Sequence, residues 1–170
     1  LVNGVETFNF KKNKKKINNS KINIVTHHWS NNYLKGFDIY DKLDKFIETN
    51  SQYSFTYIGR DRGSFKNTKV IKPLHGESLY TELKKYDLYV SASRWDPGPN
   101  HILESISCGL PTYVHHQGGG CVEFADPDHV FKDFNDLEKI IENKNYVKNK
   151  FKVYNWNICI EKLSQLMSRL

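Results

Sequence analysis

The 170-residue chain predicts an α/β fold in which a parallel sheet carries helices on both faces. Short apolar runs alternate with segments of about ten residues whose apolar positions recur at spacings of three and four. The connections between them are short, as in strand-helix-strand units that return to the same sheet. Runs such as DLYVSAS are apolar at successive positions, as strands covered on both sides are. At this length roughly 70% of the extended-chain surface can be buried, so one core is attainable without disulfides or metal.

KINIVTHH has apolar residues at Ile22 and Ile24 and ends in a polar cluster, which predicts a strand. FDIYDKLDKFIE places Phe37, Tyr40, Leu43, Phe46 and Ile47 on one helical face. QYSFTYIG is a second strand stopped by Gly59, and TKVIKPL a short third. Leu79, Leu83 and Tyr86 mark a helix before the strand DLYVSAS. HILESISCG is a short helix ended by Gly109, followed by the strand LPTYVHH. A helix from Asp133 to about Asn143 and another from about Trp156 to Arg169 complete the chain, with Trp156 expected to anchor the last one.

The net charge of +6 comes from 25 basic and 19 acidic residues, and it is unevenly placed. Residues 1–21 hold six lysines against Glu6, so the rest of the chain is near neutral. A solvated linker over 1–21 joined to one folded domain over 22–170 accounts for this, and a nucleic-acid partner is not expected. Weak contact of the lysine run with an anionic membrane surface is a secondary expectation. No apolar stretch approaches the roughly 18 to 20 residues of a membrane span. Cys108, Cys121 and Cys159 are odd in number and lack CxxC spacing, which fits a reducing compartment such as the cytoplasm. The chain starts at Leu1, so it is expected to be a piece of something longer.

In parallel sheets ligands gather at the carboxyl ends of strands, which selects HHWSNNYLKG, GRDRG, SRWDPGPNH and HHQGGG. In RWDPGPNHILE, Pro97 and Pro99 delay the helix to about Asn100, and Gly98 admits close approach. The helix that starts there offers amide groups and a positive dipole end to an anion. Asp96 and Glu104 stand eight positions apart across that turn. Lys35, just before the first helix, suits a phosphate. No P-loop or GxGxxG is present. The adjacent pairs His27–His28 and His115–His116 alternate across a strand and do not suit one metal ion, so no metal is expected. Trp29 and Trp95 are candidates to wall a pocket.

Taken in order, LVNGVETFNF, KGFD, YIGRDRG, the stretch YDLYVSASRWDPGPNHILESISCGLPTYVHHQGGGCVEF and YNWNICIEKL resemble the carboxyl-terminal half of glycosyltransferase family 4, retaining enzymes of the GT-B fold. The likeness spans essentially the whole chain. It rests on an acid, seven residues and an acid (Asp96, Glu104), a helix ending in CGLP (Cys108 to Pro111), and GGxxE (Gly119 to Glu123). It implies a Rossmann-like domain that binds a UDP-, GDP- or ADP-sugar without metal and transfers the sugar, with retention, to a glycan, lipid-linked or protein acceptor. The resemblance makes Asp96 and Glu104 the catalytic pair, with Glu104 on the ribose and Asp96 facing the sugar beside Gly119 and Gly120. Lys35 and the turn of Gly98, Pro99, Asn100, His101 and Ile102 would hold the diphosphate, and Gly59, Arg60, Lys72 and Leu74 the base.

Three departures from the family pattern stand out. Ser30 occupies the place of a usual arginine, so diphosphate binding is expected to be either weaker or completed by His28, Arg60 or Arg94. The first acid is Asp rather than Glu and lacks the usual Phe-Gly two residues on. The amino-terminal domain that the resemblance implies is missing, so the chain alone is expected to bind donor with little turnover. Two alternatives are a non-catalytic module that kept the sheet, and another GT-B member such as a sugar-nucleotide epimerase or a phosphorylase.

Overall fold

A computed structural model describes Val5 and residues 21–168. Six strands form one sheet: β1 (Ile22–His28), β2 (Tyr53–Gly59), β3 (Lys69–Ile71), β4 (Leu88–Ser91), β5 (Thr112–His115) and β6 (Val130–Phe131). The helices are α1 (Phe37–Thr49), α2 (Gly76–Leu83), α3 (Asn100–Ser107), α4 (Gly120–Glu123), α5 (Phe134–Asn143) and α6 (Trp156–Met167). The strand order is β3-β2-β1-β4-β5-β6 and every pairing is parallel. This is the doubly wound order, in which the chain reverses direction across the sheet between β1 and β4 and leaves a crevice at their carboxyl ends.

Alternation along each strand sorts the core into two layers. Ile24, Phe55, Tyr57 and Val90 pack with Phe37, Tyr40 and Leu43 of α1 and with Leu137 and Ile141 of α5. Val25, Ile58, Tyr89 and Val114 pack with Leu79 and Leu83 of α2 and with Ile102 and Leu103 of α3. All of these side chains are buried, and those on the strands alternate with neighbours that point to the other face. Asp133 caps α5 by accepting the Asp136 N–H (3.0 Å), and Gly109 at φ 76° ends α3 as its CGLP segment requires.

The strands and helices expected from periodicity are present, with additions and two corrections, the first being that α2 ends at Leu83 and leaves Tyr86 beyond it. β6 is two residues long and α4 a single turn, too short for either to show a period in the sequence. Trp156 does not anchor α6: it is exposed, and the helix is held by the buried Cys159 and by Asn155, which accepts the Ile158 N–H (3.0 Å). The linker expected over 1–21 lies outside the described residues except for its last residue and Val5. Val5 is buried and donates its N–H to the Tyr154 carbonyl (3.1 Å), beside a parallel bridge to Asn155. Arg169 and Leu170 also lie outside the described residues. No described helix is long and apolar enough to cross a membrane.

The Tyr40 hydroxyl ties α1 to the strand ends. It accepts the Ala92 N–H (2.9 Å) and meets His28 Nε2 (2.8 Å) and Thr26 Oγ1 (3.0 Å), all of them buried. Tyr40→Phe keeps the ring and strands these polar groups, so it is expected to cost about 1 to 3 kcal/mol in urea unfolding. A change within about 0.5 kcal/mol, the range of a neutral surface substitution, would show that the hydroxyl is dispensable.

Candidate functional site

A cavity of about 320 Å³ opens at the carboxyl ends of β1 and β4. Its walls come from the tip of β1 (His27, His28, Trp29), Lys35 before α1, Pro73 to His75 before α2, and Asp96 to Glu104 around the start of α3. The sequence brings these segments together because each follows a strand in a parallel sheet.

The charged groups pair across the cavity. Lys35 Nζ lies 2.6 Å from Asp96 Oδ2, on side chains about 25% and 10% exposed. Burial pushes the Asp96 carboxyl up, but the hydrogen bond from Lys35 and the nearby His101 outweigh it and leave the carboxyl below the ordinary aspartate range. Gly98 N–H reaches Asp96 Oδ1 at 3.4 Å. Among the lining side chains Lys35 carries the one fixed positive charge, against the carboxylates of Asp96 and Glu104.

The Asp96 segment is stitched to the loops on either side. Arg94 N–H donates to Leu34 O (2.8 Å), Trp95 N–H to Gln117 O (2.8 Å), and Gly120 N–H to Asp96 O (2.8 Å). Trp95 sits at φ 49°, a left-handed backbone that is uncommon for a bulky residue. That turn sends its indole out to solvent, so Trp95 does not wall the cavity as expected, whereas Trp29 does. Trp29 meets His75 edge-on (5.8 Å) and lies under the Arg60 guanidinium (5.2 Å).

Three buried histidines stand behind the charged pair. His28 and His101 rings are 4.9 Å apart, and His27 and His101 rings 6.1 Å. Desolvation, followed by the other two histidines, holds His28 well below the ordinary imidazole range. Desolvation and His27 bring His101 down to about 3 against the opposing pull of Asp96. His101 Nε2 meets Ser91 Oγ at 2.9 Å and its Nδ1 faces Asp96 Oδ2 at 3.9 Å. His27 Nε2 lies 2.9 Å from Glu104 Oε2, a contact that joins residues 77 positions apart and that no local sequence signal announces.

Of the residues expected from the sequence, Lys35, Leu74, Asp96, Gly98, Asn100, His101 and Glu104 line the cavity. Pro99 and Ile102 are buried below it, and Pro99 has no N–H. The Asn100 and Ile102 amides already donate to the Gly98 and Pro99 carbonyls (2.9 and 3.0 Å), so this turn has fewer amides to offer an anion than expected. Gly59, Arg60 and Lys72 are not among the walls. Gly59 is needed where it is because a Cβ there would lie 1.9 Å from the His28 carbonyl oxygen. Gly119 and Gly120 make their close approach to the Asp96 backbone, at 3.1 and 3.0 Å from a built Cβ.

Two of the three expected substitutes for the missing arginine are already engaged. Arg94 makes a two-pronged pair with Asp38 (2.8 and 2.6 Å), and His28 is bonded to Tyr40. Arg60 is not a wall of the cavity, but it lies on the indole of Trp29, which is. Asp96, His101 and Cys121 each bring one ligand-type atom within 4.8 Å of the others. Burial pushes the Cys121 thiol up to about 12, and Asp96 is already satisfied by an ammonium, so the trio does not offer three deprotonated donors.

No family model matches the sequence, and no curated protein matches it. Solved structures do match the fold. HepE from Anabaena, in complex with UDP and glucose, superposes with a TM-score of 0.68 at 15% identity over 86% of this chain and 48% of its own. Sucrose-phosphate synthase from Thermosynechococcus elongatus gives 0.68 at 14% identity, over 89% and 46%. The pneumococcal O-GlcNAc transferase GtfA, in complex with UDP and GlcNAc, gives 0.60 at 12% identity, over 74% and 30%. The chain therefore spans less than half the length of each of the three. The fold is a Rossmann-like α/β domain of the kind found in GT-B glycosyltransferases.

The buried histidines make stability depend on pH. Unfolding returns His28 and His101 to an ordinary value near 6.5, so below that pH the unfolded chain binds protons that the folded chain refuses. Stability is then expected to fall as the pH drops from 6.5 toward the folded value of about 3 for His101. Each such histidine contributes a slope of about 1.4 kcal/mol per pH unit. Urea unfolding at several pH values below neutrality checks this, and His101→Asn should remove one histidine's share of the slope. An unchanged slope in that variant would mean that His101 is protonated in the folded chain.

Proposed function

We propose that the chain is the donor-binding domain of a retaining glycosyltransferase of family 4, the carboxyl-terminal part of a longer enzyme. The observation that carries this reading is the convergence of Lys35, Asp96, Glu104 and the start of α3 on one cavity at the β1/β4 crevice. A cavity of about 320 Å³ is at the small end of the range for ligand sites, consistent with a shared site completed by a second domain. Two of the fold neighbours are complexed with UDP and a sugar, which supports a nucleoside diphosphate sugar as ligand.

In this reading Lys35 leaves Asp96 for the diphosphate. Its charge is best used as the glycosidic bond breaks, when negative charge develops on the leaving diphosphate in a partly dehydrated site. Lys35 thereby supplies the field that a divalent metal supplies elsewhere, and the reaction needs no metal. Asp96, released, faces the sugar. Glu104 accepts from the ribose hydroxyls, and the base lies toward Leu74 under Trp29. The acceptor, a glycan, a lipid-linked sugar or a protein, is met by the amino-terminal domain, so this chain alone binds donor and turns over little. A cytoplasmic location, with weak membrane-surface contact through the lysine run, completes the reading.

Titration calorimetry with UDP, GDP and ADP tests the reading and identifies the base. Lys35→Ala is expected to weaken the diphosphate that binds by about 2 kcal/mol, as the loss of a desolvated charge contact does. Unchanged affinity would remove Lys35 from the site. Glu104→Gln should weaken the matching nucleoside and its diphosphate to a similar degree, because the contact is to ribose. A loss confined to the diphosphate would contradict that assignment.

A further inference from the structure

We propose that His27 is a positioning residue that sets how Glu104 meets the vicinal hydroxyls of the ligand, an inference that rests on the nucleotide reading above. An ionised carboxylate only accepts hydrogen bonds, so the 2.9 Å contact makes His27 Nε2–H the donor and Glu104 Oε2 the acceptor. His27 Nδ1 is then the unprotonated nitrogen, and it is buried with no partner. A proton on Nδ1 would be a buried N–H with nothing to accept it, so the geometry selects the tautomer that donates through Nε2.

The imidazole is fixed from several sides. Its own backbone N–H donates to the Tyr89 hydroxyl (3.2 Å), and the ring stands edge-on to Tyr89 (5.4 Å) and to His101 (6.1 Å). The Glu104 side chain is about 25% exposed and lines the cavity. With Oε2 held by His27, Oε1 has no hydrogen-bond partner among the described residues and remains for a ligand hydroxyl. The same grip stops the carboxylate from turning toward Lys35, which pairs with Asp96 instead. A strand-end histidine thus decides which oxygen of a helix-borne carboxylate is offered, and at what angle.

The consequence is discrimination between ribose and 2′-deoxyribose. After UDP, GDP and ADP have been tried, the diphosphate that binds is compared with its 2′-deoxy form on the 170-residue chain. The unaltered chain should prefer ribose roughly tenfold, the size of one charge-assisted hydrogen bond. In His27→Phe, which keeps the bulk and loses the donor, the preference should fall to about twofold or less. It should return in His27→Gln, whose amide can still donate to Glu104. Retention of the full preference in His27→Phe overturns the inference while leaving the nucleotide reading intact. Failure of all three diphosphates to bind overturns that reading and takes the inference with it.

A measurement without substitution covers the case in which His27→Phe does not fold. Nitrogen NMR of the imidazoles in the unaltered chain should show His27 protonated at Nε2, with a signal that the ribose diphosphate shifts more than its deoxy form. A ring protonated at Nδ1 instead, or an equal response to both ligands, would overturn the assignment.

Discussion

Gly36 has no side-chain carbon, and the chain just past β4 occupies the space that one would need. A Cβ built there falls 2.3 Å from both the Cβ and the carbonyl oxygen of Ala92, on a backbone at φ 89° that favours glycine. Because the two backbones touch, the loop after β1 lies directly on the loop after β4. Leu34 O can then accept from Arg94, and Lys35 and Asp96 are carried into contact. α1 starts at the same point and brings Tyr40 to Ala92, Thr26 and His28. The ion pair, the hydroxyl network and the crevice are therefore one construction, built around a gap of one missing methyl group.

The polar groups behind the cavity follow a related logic. A sheet covered on both faces buries its strand ends unless loops fold away from them. Here the ends carry Thr26, His27, His28, Ser91 and Ser93, all buried. Each imidazole finds a partner in a different layer: His28 on α1, and His27 and His101 around α3 and β4. Neutral rings suit this depth because burying a charge costs far more than burying a hydrogen-bonded dipole. The result is a floor rich in donors and acceptors that carries little charge of its own, beneath a rim that carries the lysine and the carboxylates.

Much of this was legible in the sequence because it is local. Period-two and period-3.6 patterns mark the strands and helices, and the rule that ligands gather at strand ends selects the segments that line the cavity. Lys35, Asp96 and Glu104 were reachable that way. The His27–Glu104 contact was not, since it joins residues far apart in the chain, and alternation along a strand says which face a histidine takes without saying what it meets. The reduced supply of amides at the start of α3 was hidden for another reason. Gly98 and Pro99 turn their carbonyls inward to bond Asn100 and Ile102, a choice of turn geometry that composition leaves open. Arg94 looked available by position, yet its partner Asp38 lies 56 residues earlier on another element. Trp95 looked like a wall because it follows a strand, and only its left-handed backbone reveals that it faces outward.

An ammonium held 2.6 Å from a carboxylate is a dipole, not a point charge. Its field falls off faster with distance than that of an isolated ion, and Glu104 adds a further negative charge to the same wall. The pair itself therefore offers an approaching anion little long-range attraction for dissolved salt to screen. Any anion that reaches Lys35 has to compete with Asp96 for the same ammonium. Under the donor-binding proposal, a small anion alone gains little at this wall, and a ligand with further contacts in the crevice gains more.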